Sequence, residues 1–259
     1  MHLLAESMRR AFAERAQHLG DPDFVKSMPI DRLLSKDYAA TLRKTINPTQ
    51  ASKSSPTSFT WATESQETTH FSVVDAQRNA VSITYTLEAG YGSKIVVPGG
   101  GFLLNNEMGD FNAGPGLTNE QGLIGTEANL AWPGKRMLSS MSPTIVAKDG
   151  KLFMVTGSPG GRTIINTVVM TLLNVIDFGM NAQEAVDAPR IHHQWLPDRI
   201  SYEDFGFSPD TLALLKKMGH TLQEGGNQGT DEIIVYNVKD DMLEGGLDRR
   251  SADGGAAGK

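Results

Sequence analysis

No cysteine occurs among the 259 residues. Disulfides, thiolate nucleophiles and cysteine-based zinc sites are therefore excluded, and any nucleophile must be another side chain. The redox compartment stays open, because a cysteine-free chain suits any. Positive charge is scarce as well: 24 Lys and Arg face 30 Asp and Glu, a net charge of -6, which argues against a protein that lives on nucleic-acid phosphates. No apolar run approaches the roughly 18 residues of a membrane span. The first residues, Met1-His2-Leu3-Leu4-Ala5-Glu6, lack the charged start and long apolar stretch of a secretory signal. What is present is a hydrophobic content of 39%, enough to fill a substantial core and to exclude whole-chain disorder.

Leu3, Leu4, Met8, Ala11, Phe12, Ala16 and Leu19 recur at three- and four-residue spacing with charged residues between them, the pattern of an amphipathic helix from residue 2 or 3. It starts with no lead-in or capping residue, which reads as a sequence entered midway, with Met1 internal to something longer. Gly20-Asp21-Pro22 stops it, and Tyr38 to Ile46 predicts a short helix ahead of Asn47-Pro48. Residues 47–67 are rich in Ser, Thr and Pro and read as an exposed, mobile linker.

Alternation takes over after the linker. Thr69 to Val74 and Ala80 to Leu87 are β-rich runs joined by Asp75-Ala76-Gln77-Arg78-Asn79, and Thr144 to Ala147 with Leu152 to Thr156 repeats the design around Lys148-Asp149-Gly150; both predict hairpins. The long glycine-bearing stretch from Gly99 to Arg136 between them has the length of a functional loop. Gly157-Ser158-Pro159-Gly160-Gly161-Arg162 leads into the apolar run Thr163 to Ile176, whose length favours a buried helix over a strand. Asn181 with Glu184 forms a capping box, Ser208-Pro209 opens another helix that Gly219 closes, and Ile233 to Tyr236 is a last strand.

Thr68 stands where the first β-run leaves the linker. Cleavage before it would give an N-terminal threonine whose own α-amine can act as general base. By itself, a threonine at a strand start more commonly reflects β-propensity. Adjacent histidines His192-His193 point different ways and have no third ligand at a recognisable spacing, so they predict packing rather than a metal. Gly99-Gly100-Gly101 lacks the Lys-Ser/Thr of a phosphate loop.

Four segments carry a resemblance in one order along the chain: Thr68 to Asp75, Leu104-Asn105-Asn106-Glu107-Met108-Gly109-Asp110-Phe111, Leu138-Ser139-Ser140-Met141-Ser142-Pro143-Thr144, and Thr156-Gly157-Ser158-Pro159-Gly160-Gly161. Together they resemble the signatures of the γ-glutamyltranspeptidases (glutathione hydrolases), and the tail from Asp248 to Gly258 resembles the usual ending. The resemblance implies an α+β fold, the αββα four-layer sandwich of N-terminal-nucleophile (Ntn) hydrolases, made incomplete by the absence of most of the large subunit. It implies self-cleavage before Thr68 of a zymogen, so that residues 1–67 are the end of a large subunit with its linker and residues 68–259 the small, catalytic subunit, together one domain.

By motif position the resemblance makes Thr68 the nucleophile, with Thr86 supporting it through a hydroxyl hydrogen bond. It makes Glu88, Glu107 and Asp110 the grip on a substrate α-amino group, an assignment that suits an ammonium's need for converging carboxylates; solvated loop acids are the plain reading. Ser139 and Ser140 match the pair that binds the substrate α-carboxylate, although paired serines are common in turns. Gly160 and Gly161 match the oxyanion hole, where side-chain-free N–H groups suit a developing oxyanion. The implied reaction transfers a γ-glutamyl group from glutathione or another γ-glutamyl compound to the threonine, then to water or to an amino-acid or peptide acceptor, with no metal and no other cofactor.

Members of that family carry several hundred residues ahead of the nucleophile, where this chain has 67. The arginine that binds the α-carboxylate lies in that missing portion, and none of Arg9, Arg10, Arg15, Arg32 or Arg43 matches it. Two alternatives stand beside the main reading: a related amide acylase acting on a glutaryl-type side chain, and a C-terminal fragment inactive without a separate chain that supplies the large-subunit portion. The resemblance implies a periplasmic or secreted protein.

Overall fold

The computed structural model describes residues 1–54, 67–112 and 127–258. The chain divides into two compact units: Met1–Glu64 with Glu107–Ser139 and Ile191–Gly226, and Ser65–Asn106 with Ser140–Arg190 and Asn227–Lys259.

The first unit is built on α1 (His2–His18), which has no side-chain cap at its start. Its buried face is more polar than the periodicity suggests. Met8 and Phe12 are buried as expected, but so are His2, Glu6, Arg9 and Arg15, while Leu3 is 60% exposed. A short helix absent from the sequence reading, α2 (Ile30–Leu34), precedes α3 (Lys36–Lys44), where the Ser35 side chain caps the Tyr38 amide. A three-stranded sheet follows in the order β5 (Ile191–His192), β6 (Ile200–Tyr202) and β7 (Leu222–Glu224), the second pair parallel. Parallel neighbours need a crossover, and α6 (Pro209–Lys217), capped by Ser208 with proline in its first turn, provides it.

The described half of the Ser/Thr/Pro stretch departs from the mobile linker expected of it. Residues 47–54 are pinned. The Ala51 amide donates to the Met218 carbonyl at 2.7 Å and Ala51 is buried. The Ser52 amide donates to Glu6 Oε1 at 3.1 Å, the Ser54 amide to Asp198 Oδ2 at 2.9 Å, and the Ser54 hydroxyl to the Trp195 carbonyl at 2.6 Å. Low apolar content removed the pattern signal, yet backbone groups found buried acids, and that fixes a segment as firmly as packing does. The remainder of the linker, 55–66, lies outside the described residues.

In the second unit β1 (Thr68–Val74) and β2 (Ala80–Thr86) form the first expected hairpin, in a register that sets Thr68 opposite Thr86. Asp75 closes the turn by accepting the Gln77 and Asn79 amides. The second hairpin, β3 (Thr144–Lys148) and β4 (Lys151–Thr156), belongs to a four-stranded sheet in the order β3-β4-β8-β9, with β8 (Glu232–Asn237) and β9 (Met242–Leu247). Asp149 and Gly150 both have positive φ, as a tight primed hairpin turn demands. The apolar run from Thr163 is the helix α4 (Thr163–Ile176), and the capping box at Asn181 and Glu184 opens α5 (Ala182–Asp187). Met154, Val175, Ala182, Ala185, Val186, Ile233 and Val235 are the core where these helices meet the sheet. The fold is mixed α+β.

Candidate active site

The register of the first hairpin brings two of the expected residues together. The Thr86 hydroxyl donates to the carbonyl oxygen of Glu67 at 2.9 Å and accepts the Glu88 amide at 2.8 Å. The carbonyl so held belongs to the peptide bond that joins Glu67 to Thr68. Glu88 is buried, at a positive φ of 73°. Asn106 brackets it: its amide donates to the Leu87 carbonyl at 3.1 Å and its side chain accepts the Ala89 amide at 3.1 Å.

Beneath the hairpin lies a polar layer. Thr68, His70 and Ser72 share one face of β1, which the strand's alternation separates from the outward residues Thr69, Phe71 and Val73. His70 is 5% exposed, with Nδ1 at 2.8 Å from the Thr84 hydroxyl and Nε2 at 3.2 Å from that of Ser72. Burial pushes its pKa down to about 4, so the ring is neutral at pH 7. It lies directly against Gly157: a Cβ at that position would fall 2.2 Å from the His70 ring. The hairpin is joined to the second sheet by the Ser72 hydroxyl on the Glu232 carbonyl (3.1 Å) and the Ser82 hydroxyl on the Thr156 carbonyl (3.0 Å). A cavity of about 610 Å³ borders Thr68, with Glu232 and residues 253–257 of the tail in its walls. Burial, then the charges of Asp231 and Asp248, push the Glu232 carboxyl up to about 7.

The glycine turn is tightly seated. Gly160 has φ 130° and a Cβ there would lie 2.9 Å from the Gly229 Cα, so only glycine fits. The Ser158 hydroxyl donates to the Pro159 carbonyl at 2.5 Å and accepts the Thr230 amide at 2.9 Å, while the Thr163 hydroxyl caps the Gly160 carbonyl at 2.8 Å. The 228–231 loop is in turn held by buried Arg190, whose guanidinium pairs with Asp248 at 2.7 Å and donates to the Gly229 carbonyl at 3.1 Å. Gly160 and Gly161 thus sit in a rigid turn at the start of α4.

Glu107, Asp110 and Ser139 are in the first unit. Glu107 and Asp110 occupy one 3₁₀ turn, where burial first, then the charge of Asp110 and a hydrogen bond with it, push the Glu107 carboxyl up to about 7. Asn129 was not foreseen: its side-chain amide donates to the Asp110 carbonyl at 2.8 Å while its oxygen accepts the Leu138 amide at 2.9 Å, so one buried residue spaces the acid turn from the serines. Arg15 was noted in the sequence without a role. It is buried, donates to the Ser139 carbonyl at 3.3 Å, and feels the charge of Asp110, while burial pulls its pKa down to about 10. Arg136 anchors the same strand segment on Asp21, with Nη2 at 2.6 Å from Oδ1. Nothing in periodicity or motif marks Asn129 or Arg15, because each acts through backbone groups distant in sequence. Ser140 lies in the second unit, its carbonyl accepting the Ser142 hydroxyl at 3.0 Å.

The histidine pair packs as expected. His192 bonds Gln194 at 2.8 Å, and His193 accepts the Trp195 amide at 3.1 Å beside Asp198. Among the described residues one group, His2, Glu6 and His220, collects three metal-ligating side chains. Its chemistry is that of a salt-bridged network: Arg9 and Arg10 both pair with Glu6, and His2 commits Nε2 to the Asn47 carbonyl and Nδ1 to His220.

A family model described as gamma-glutamyltranspeptidase matches residues 1–258. The glutathione hydrolase proenzyme of Escherichia coli is 48% identical over all of this chain, which spans 44% of that relative. A crystal structure of gamma-glutamyltranspeptidase from Pseudomonas nitroreducens, complexed with L-DON, is 47% identical with a TM-score of 0.68; it is matched over 100% of its own chain and 74% of this one. Cephalosporin acylase from Bacillus halodurans is 27% identical with a TM-score of 0.78, over 98% of this chain and 44% of that one. The chain thus spans less than half the length of the curated relative.

Proposed function

Since the chain belongs to the γ-glutamyltranspeptidase family, we propose that it forms the nucleophile-bearing part of a γ-glutamyl hydrolase and transferase that matures by cutting itself before Thr68. One observation carries this reading: the hydrogen bond from the Thr86 hydroxyl to the Glu67 carbonyl. A donor on that oxygen polarises the bond to be broken and stabilises the oxyanion that attack creates. The Thr68 hydroxyl oxygen adds to the Glu67 carbonyl carbon, the C–N bond breaks, and the acyl group moves to oxygen while the nitrogen takes up a proton. Water then hydrolyses the ester, leaving the Glu67 carboxylate and a free Thr68 α-amine. The Pseudomonas nitroreducens chain is matched over its whole length by 74% of this one, the share that residues 68–259 make up, which supports a cut at that place.

In the mature protein Thr68, with its own amine as base, attacks the γ-amide carbonyl of glutathione or another γ-glutamyl compound. The Gly160 and Gly161 amides receive the oxyanion, the amine departs, and water or an acceptor amine releases the γ-glutamyl group. Glu88, Glu107 and Asp110 hold the substrate ammonium, and Ser139 and Ser140 its carboxylate. The sandwich of four layers is completed by the part of the family sequence outside this chain. The likeness to cephalosporin acylase favours an acylase as the second reading; the three acids favour a donor with a free α-amino group.

The test is mass spectrometry for products split between Glu67 and Thr68, with release of a chromogenic amine from a γ-glutamyl anilide, measured with and without the remaining portion of a relative. Both events are expected in the wild type and neither in Thr68→Ala. An uncut, inactive wild type in both conditions overturns the proposal, and cleavage persisting in Thr68→Ala removes Thr68 as nucleophile.

A further inference from the structure

The first hairpin is inverted with respect to water. Its protein-facing side carries Thr68, His70, Ser72, Ser82, Thr84 and Thr86, whereas its outer side carries Phe71, Val73, Val81, Ile83 and Tyr85, exposed by 40% to 59%. The register makes these outer residues cross-strand partners, Phe71 opposite Ile83 and Val73 opposite Val81, so they form one continuous apolar face rather than scattered exposures. A hairpin that meets solvent alternates the other way, apolar inward and polar outward. Its two strands form a sheet by themselves, and an isolated pair is marginal in water without a packing partner. A patch of this kind marks a surface made to be covered.

We propose that this outer face is the docking surface for the polypeptide portion of the family that lies outside this chain, and that the cover holds Thr68 in place through the hairpin. The occupant follows from length: the chain spans 44% of the Escherichia coli relative and 42% of one from Pseudomonas, so more than half of the family's sequence remains to pack somewhere, and no acid or base stands on the face to select a charged partner. The proposal rests on family membership and not on Thr68 being the nucleophile, so the two fail separately.

The probe is the portion of the Escherichia coli glutathione hydrolase proenzyme that this chain does not match, mixed with the full chain. Sedimentation should show a one-to-one complex, and hydrogen exchange should show residues 71–73 and 81–85 protected on its formation. Ile83→Asp should weaken the complex at least tenfold, while Phe205→Asp, at an exposed residue of the other unit, should leave it unchanged. Absence of a complex, a complex without protection of the hairpin, equal affinity for Ile83→Asp, or pairing of two copies through this face would each overturn the assignment. The exchange measurement decides without any substitution, so a misfolded variant does not spare the proposal.

Discussion

Gly157 and His70 depend on each other more closely than any motif reveals. With the His70 ring 2.2 Å from where a Cβ would stand, Gly157→Ala forces the ring away from Thr84 and Ser72; we expect a loss of about 1–3 kcal/mol, the usual cost of overpacking a tight site, read by urea denaturation, and partial recovery when His70→Ala is added. Glu107 carries a pH dependence of definite sign. Its carboxyl rises from 4.5 to about 7 on folding, so between those values the folded state binds the extra proton; the stability this contributes is complete below about pH 4.5 and is lost as pH rises through 7. Glu232 behaves alike. Urea midpoints should therefore fall from pH 4.5 to 8 and fall less in the Glu107→Gln, Glu232→Gln double variant; an unchanged profile would refute the assignment. The glycines and acids could be nominated from their motifs, but their settings could not. Asn129, Arg15 and Gly157 work through contacts across the chain that leave no local trace.

Among the elements, the hairpins, α4, α5 and α6 were legible because each is signalled by its own residues: alternation for the strands, Asn181 with Glu184 and Ser208 with Pro209 for the helix starts. β9 was not, since Met242-Leu243-Glu244-Gly245-Gly246-Leu247 is weak in β-formers and becomes a strand only by pairing with β8. The segment 47–54 errs the other way, polar in composition and fixed in fact. Its anchor is Glu6, fully buried. Burial works to raise that carboxyl, but hydrogen bonds from Ser52 and Arg10 and the charge of Arg9 outweigh it and hold it at about 2. Glu6→Ala strands those partners and should cost about 3 kcal/mol, with limited proteolysis newly cutting at 45–54; resistance to protease in that variant would show that the anchor lies elsewhere.

For the whole molecule, the position of the proposed cut relative to the two units has a consequence. The first unit takes residues from both sides of it, since α1 and 45–54 are tied to 193–220 and to Arg136 within that unit. After cleavage, residues 1–67 should therefore stay with 68–259, co-eluting on native size exclusion and parting only in denaturant; separation under native conditions would contradict these contacts. Order along the chain was enough to establish the family, the candidate nucleophile and the types of most elements, because local propensity, caps and motifs are written in neighbouring residues. The rest belonged to tertiary structure: the pinning of a polar linker, the donor placed on the Glu67 carbonyl, the neutral histidine against a glycine, and the apolar face turned outward. Each of these depends on which distant groups share a low-dielectric interior or lie opposite one another in a register, and a linear pattern does not encode that.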